Sequence, residues 1–171
     1  SSDDLEVKYR FQYRLDFAED WTLVLGELTG QSWTVAPSEG EPFGHGTVVE
    51  AQVMAYDAVG NESGYCESVR TIIDDRGPVV TISNPAEPKT TNAKTFTWKW
   101  MATDEGIGVD YYIVNLVVND VDNDTWAKVP AGTSYSSELQ PGKNVLLVKG
   151  VDRLGNVGGV ATAPAVTQVK P

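Results

Sequence analysis

Apolar and polar residues alternate along this chain in short runs. The clearest is Thr95 to Asp104, where Phe96, Trp98, Trp100 and Ala102 share one face and Thr97, Lys99, Met101 and Thr103 the other. The aromatic face is expected to point inward, because three such side chains left in water would form a large apolar patch. Aromatic and β-branched residues dominate the apolar positions elsewhere, and turn residues recur every 8 to 12 residues. No segment carries a long helical period. This pattern predicts an all-β sandwich architecture. Strands are expected at Val7–Phe17, Trp21–Leu28, Ser32–Val35, Thr47–Tyr56 and Gly64–Ile73. Beyond these they are expected near Val79–Ile82, Thr95–Ala102, Asp110–Val118, Trp126–Val129, Ser134–Leu139, Val145–Val151 and Val160–Val169.

Two stretches repeat one another. Val48 to Ser63 reads VVEAQVMAYDAVGNES and Asn144 to Gly158 reads NVLLVKGVDRLGNVG. Each is an alternating strand running into Asp-x-x-Gly-Asn. Asp57 matches Asp152, Gly60 matches Gly155 and Asn61 matches Asn156, at an offset of 95 residues. That spacing is domain-sized and too long for a solenoid repeat. Two tandem copies of one β domain are therefore expected, residues 1–75 and 76–171, with Asp74-Asp-Arg-Gly-Pro78 as the boundary. Trp21 answers Trp126, each opening a strand after a turn. The first copy is short at its front: by alignment with its twin it lacks the first two strands. Such a sandwich exposes a core face and an unpaired edge. Upstream residues of a longer repeat array would complete it. Alternatively a neighbouring chain supplies a strand, or the first domain has another topology.

The formal net charge of −11 argues against a nucleic-acid surface, which needs clustered Lys and Arg. It equally argues against adsorption to anionic membranes. No apolar run is long enough to span a bilayer, so membrane insertion is not expected. The one cysteine, Cys66, allows no internal disulfide, and within its expected strand it reads as a small buried hydrophobe. The one histidine, His45, removes most multi-histidine metal and Ser-His-Asp designs. No carboxylate pair stands out for hydrolysis, and no catalytic or cofactor-binding residue is assigned.

Candidate chemistry sits in the acidic loops. Asp120, Asp122 and Asp124 alternate as the start of a calcium loop does. Thr125 and Ala131 stand where an EF-hand would need Gly and Glu, so the loop is not an EF-hand. Asp104, Glu105 and Asp110 flank Gly106 and Gly108 in a second acidic loop, which could hold a cation with Asp74 and Asp75 if the fold gathers them. Calcium is the candidate ion. The two Asp-x-x-Gly-Asn segments read first as turns, in which Gly supplies a positive φ and Asp binds backbone N–H groups. Trp98 and Trp100 are expected in the core, while Trp33 alternates ambiguously. Asn61-Glu-Ser63 and Asn123-Asp-Thr125 match N-glycosylation acceptors.

Three further segments carry a resemblance: Gly77–Pro85 (GPVVTISNP), Phe96–Val114 (FTWKWMATDEGIGVDYYIV) and Leu139–Asn156 (LQPGKNVLLVKGVDRLGN). In order and spacing the second copy resembles the bacterial immunoglobulin-like or fibronectin type III-like modules of surface and secreted proteins. It departs from them after the Leu-x-Pro-Gly turn, where the usual tyrosine is absent and Val145 is nearby. The resemblance implies two tandem immunoglobulin-like β-sandwich domains. It also implies an extracellular or cell-surface location and non-catalytic structural, adhesive or assembly work, with a protein partner or self-association. The alternatives are a carbohydrate-binding accessory region of a secreted enzyme and a strand-exchanging filament or surface-layer subunit.

Overall fold

The computed structural model describes residues 7–24, 32, 34 and 43–169. The chain divides into two compact units, Ser1–Ile73 and Asp74–Pro171. The described residues form strands and no helix.

The first unit contains β1 (Lys8–Leu15), β2 (Thr22–Leu23), β3 (Val48–Tyr56) and β4 (Val69–Ile72), in one antiparallel sheet of order β2-β1-β3-β4. β1 and β3 pair from Lys8↔Tyr56 to Leu15↔Val49. Alternation therefore gives this sheet two unlike faces. One carries Tyr9, Phe11, Tyr13 and Leu15 beside Val49, Ala51, Val53 and Ala55. The other carries Lys8, Arg10 and Arg14 beside Glu50, Met54 and Tyr56. On that face Glu50 is buried. It accepts hydrogen bonds from Arg14 Nε at 2.7 Å, from the Ser68 hydroxyl, and from Arg70 Nη2 at 3.2 Å. These bonds, Arg14's first, hold its carboxyl down at about 2 against the upward push of burial. The arginines also lie over rings: Arg10 on Tyr56, Arg14 on Trp21 and Arg70 on Phe17.

Two expectations change here. The strand expected over Gly64–Ile73 forms a regular ladder only at Val69–Ile72. Cys66 therefore precedes the ladder and is exposed, not buried; its N–H donates to Val53 O and its Sγ accepts from Val53 N. The strand expected over Trp21–Leu28 pairs at Thr22–Leu23, and residues 25–28 lie outside the described residues, as do Trp33 and Val35 of the strand expected over Ser32–Val35.

The second unit contains β5 (Val79–Asn84), β6 (Lys89–Thr91), β7 (Thr95–Thr103), β8 (Val109–Val118), β9 (Ala127–Pro130), β10 (Ser134–Glu138), β11 (Gly142–Asp152), β12 (Ala161–Thr162) and β13 (Val166–Gln168). One sheet runs β10-β7-β5. The other runs β6-β13-β11-β8-β9, with β12 also on β11. Two sheets with this strand order make an immunoglobulin-like sandwich. β6 was not expected from the sequence, because its Lys-Thr-Thr has no apolar alternation; it joins β13 in parallel. Pro164 interrupts the expected Val160–Val169 run, leaving β12 and β13.

The core lies between these sheets. Trp98 and Val148 are each 0% exposed and belong to one cluster with Trp100, Tyr112, Val114, Leu139, Leu146, Ala163 and Val166. The face expected to point inward on β7 does so. Trp98 meets Phe96 edge-on at 5.0 Å, and Trp100 meets Tyr112 edge-on at 5.2 Å, the geometry favoured by ring quadrupoles. The first residues of the unit are packed tightly. Pro78 is fully buried against Gly150, and a Cβ on Gly77 or Gly158 would overlap the backbone of the other segment.

Each strand described in the first unit has a counterpart in the second. β3 matches β11 at the offset of 95, and the pairings Phe11↔Val53 and Val114↔Val148 align β1 with β8. The four strands of the first unit thus reproduce the β9-β8-β11-β13 sheet of the second.

Candidate cation site and its surroundings

The two Asp-x-x-Gly-Asn segments fold into the same turn. In the second unit Asp152 Oδ1 accepts from Leu154 N at 2.8 Å and Asn156 N at 2.9 Å, while Oδ2 accepts from Asn156 Nδ2 at 2.7 Å. In the first, Asp57 makes the corresponding bonds to Val59 N, Asn61 N and Asn61 Nδ2 at 3.0, 2.8 and 2.7 Å. Gly60 and Gly155 have φ of 90° and 91°, the left-handed region that glycine enters without a Cβ penalty. Asn61 uses its amide inside the turn, donating from Nδ2 to Asp57.

The turns differ in what surrounds them. Asp152 is buried and gathers two other carboxylates, Asp74 and Asp104; one ligand oxygen from each lies within 4.8 Å of the others. Asp74 is the first residue of the unit and accepts from Ile107 N at 3.0 Å. Asp104 follows β7 and accepts from Gly106 N at 3.2 Å and Gly108 N at 2.7 Å. Gly106 must be glycine here, because a Cβ would overlap the Asp74 carboxylate. Asn156 Nδ2 also donates to Asp74 O at 3.0 Å, binding the first residue of the unit to the turn. Burial pushes the Asp152 carboxyl up. Hydrogen bonds from the Asn156 side chain and from the backbone of Asn156, Leu154 and Gly155 outweigh it and hold the group below its usual value. Two oxygens on one Ca²⁺ lie up to about 5 Å apart, twice a Ca–O bond, so these three carboxylates have the spacing to share a calcium ion.

The sequence-predicted residues divide accordingly. Asp104 joins Asp74, as the two-loop reading anticipates, and Asp152 is the partner that reading lacks. Exposed Glu105 is not in the group, nor is Asp75 or Asp110. Asp120, Asp122 and Asp124 are not gathered either. Asp120 pairs with Lys143 Nζ at 2.6 Å. Asp122 Oδ1 accepts from Asp124 N and Asn115 Nδ2, each at 2.7 Å, which lowers its pKa. Asp124 accepts from Trp126 Nε1 at 2.8 Å. These carboxylates are spent on shaping a hairpin loop.

The Leu-x-Pro-Gly turn without its tyrosine is held by Asn144, which is 0% exposed. Its Nδ2 donates to Gln140 O at 2.8 Å, Gly142 O at 2.9 Å and Val166 O at 3.3 Å, and its Oδ1 accepts from Gln140 N at 3.0 Å.

These units have the fold of fibronectin type III domains. The chain aligns with the crystal structure of the FN1–FN3 domains of chicken CNTN1 at a TM-score of 0.57 and 14% identity, over 96% of this chain and 56% of that one. It also aligns with the fibronectin(III)-like modules of Clostridium thermocellum CbhA, at 0.44 and 11%, over 99% and 81%. A two-domain fibronectin type III segment of chicken tenascin matches at 0.40 and 15%, over 91% and 82%. The chain thus spans just over half the length of the CNTN1 structure. At these identities the likeness concerns the fold. No protein-family profile matches the sequence, and no curated protein does.

Proposed function

We propose that the chain is a non-catalytic, extracellular structural module that enters larger assemblies through its first unit. The observation that carries this reading is the unequal cover of equivalent faces. Val69 stands opposite Ala51 as Ala163 stands opposite Leu146, yet Val69 is 73% exposed and Ala163 3%. Ala51 and Val53 are half-buried where Leu146 and Val148 are wholly enclosed. In the second unit the cover is the β10-β7-β5 sheet, and no second sheet is present among the described residues of the first. Strands from a neighbouring polypeptide would supply that cover and join the two molecules.

A carbohydrate-binding role has less support. Trp98 and Trp100 are in the core, while Trp21 lies under Arg14 and Trp126 under Lys149. Hydrogen exchange combined with sedimentation velocity tests the assembly reading. In dilute protein the amides of β1 and β3 should exchange faster than those of β8 and β11, and slow as the chain associates at high concentration. A monomer at all concentrations, with both units equally protected, would overturn it. Retention on insoluble polysaccharide would favour the carbohydrate role.

For the three-carboxylate group we propose calcium, a hard cation suited to an all-oxygen donor set. Millimolar calcium should raise the Tm of the second unit and excess EDTA lower it, since a ligand bound only by the folded state stabilises it by about 2.7 kcal/mol at a hundredfold excess over Kd. Asp104→Asn should remove the response. An unchanged Tm in both solutions would end the cation proposal.

A further inference from the structure

We propose that the outer edge of β4 is a docking strand for an extended segment of a partner protein in which acidic and apolar side chains alternate. This concerns the edge of the first unit's sheet and goes beyond the covering of its face.

The first observation is the edge itself. β4 ends the order β2-β1-β3-β4 among the described residues. Gly46 N donates to Ile73 O and Ile73 N to Thr47 O, so the ladder's alternation turns the N–H and C=O groups of Arg70 and Ile72 outward. The second unit shows that this position accepts a strand: β13 takes β6 in parallel, through Val166↔Lys89, Thr167↔Thr90 and Gln168↔Thr91. Main-chain pairing of this kind supplies affinity, and alternate side chains supply specificity.

The chemistry of the occupant follows from the two faces beside the edge. Residues 1–73 carry thirteen Asp and Glu and only four Lys and Arg: Lys8, Arg10, Arg14 and Arg70. All four share one sheet face, because Arg14 pairs with Glu50, Glu50 with Arg70, and Lys8 and Arg10 alternate with Arg14. This segregation makes it the more basic face of an acidic unit, on which Arg14 and Arg70 pair with Glu50 and Arg10 with Glu62. Arg70 is nearest the edge. Its side chain is 56% exposed, and it is held over Phe17 and to Glu50 through Nη2; among the described residues its other N–H donors meet no second carboxylate. The opposite face at the same edge presents Val69, an exposed apolar side chain. A strand added to β4 projects successive side chains to these two faces in turn. Acidic residues would meet Arg70 while apolar ones cover Val69. A carboxylated polysaccharide fits less well, because the guanidinium groups already cover the rings of Trp21, Phe17 and Tyr56 on which sugars would stack.

The test uses residues 1–171 and three synthetic decapeptides: alternating Glu and Val, the same composition as a Glu block followed by a Val block, and alternating Lys and Val. The alternating Glu-Val peptide should bind at least tenfold more tightly than the other two and protect the Arg70 and Ile72 amides from exchange. Arg70→Glu should weaken it at least tenfold. Ile72→Pro, which removes an outward N–H and spares the β3 ladder, should abolish it with β1 and β3 exchange unchanged. Equal binding of the block peptide, or binding without protection at Arg70 and Ile72, would overturn the proposal. So would displacement of the peptide by heparin that itself leaves β4 exchange unaltered, since it would mark a general polyanion surface. Peptide binding by a chain that never self-associates would sink only the assembly reading, and self-association without peptide binding only this one.

Discussion

Trp98→Ala is expected to destabilise the second unit by about 3–5 kcal/mol, the range for truncating a large buried aromatic. Trp98 has no exposed surface, contacts Phe96 edge-on, and pairs across the ladder with Tyr135. The hole would lie between two sheets clamped by their own ladders, so neighbouring side chains could fill little of it. Far-UV circular dichroism in urea gives the loss, and amide exchange in β8 and β11 assigns it to the second unit. Met101→Ala on the same strand is the control. That side chain is 61% exposed, and its loss should change stability by no more than about 0.5 kcal/mol. A Trp98→Ala loss below about 1 kcal/mol would mean that Trp98 does not anchor this core.

Asn144→Ala is expected to cost about 2–4 kcal/mol, because one substitution takes a partner from four backbone groups, those of Gln140 and Gly142 part-buried and that of Val166 buried. Gln140 N loses its acceptor, and the carbonyls of Gln140, Gly142 and Val166 lose a donor. The buried Val166 carbonyl left unpaired costs about 1–3 kcal/mol, and each bond lost at the part-buried Gln140 and Gly142 groups, where water replaces the partner, about 0.5–1.5 kcal/mol at most. Asn144→Asp separates this role from simple volume. It keeps the shape but sets a carboxyl oxygen against carbonyls in a buried place, which raises the folded-state pKa. A raised pKa makes the folded state bind more protons than the unfolded state, so the variant's stability falls as pH rises above about 4. The gap between Asn144→Asp and the parent chain should therefore widen from pH 4 to pH 7 in thermal melts. A gap that is constant with pH would show that the 144 side chain is not enclosed.

The residues that were legible in sequence are those whose environment is set by their neighbours in the chain. The alternation of Phe96, Trp98, Trp100 and Ala102 assigns a buried face wherever the strand is placed, because the strand period is two. The Asp-x-x-Gly-Asn turns close on bonds between residues two and four apart, so both copies read alike. What depended on strand order was not legible. The carboxylates of Asp74, Asp104 and Asp152 meet because the start of the second unit, the end of β7 and the end of β11 converge; sequence could set Asp104 beside Asp74 only on condition that the fold gathers them, and no local pattern adds Asp152. Glu50 breaks an apolar strand, and only the sheet shows Arg14 and Arg70 on either side of it. The exposure of Cys66 and Val69 likewise follows from where β4 begins and what covers it. Propensity and periodicity are short-range properties of a chain; which distant segments pair, and which faces they leave in water, is decided by packing among them.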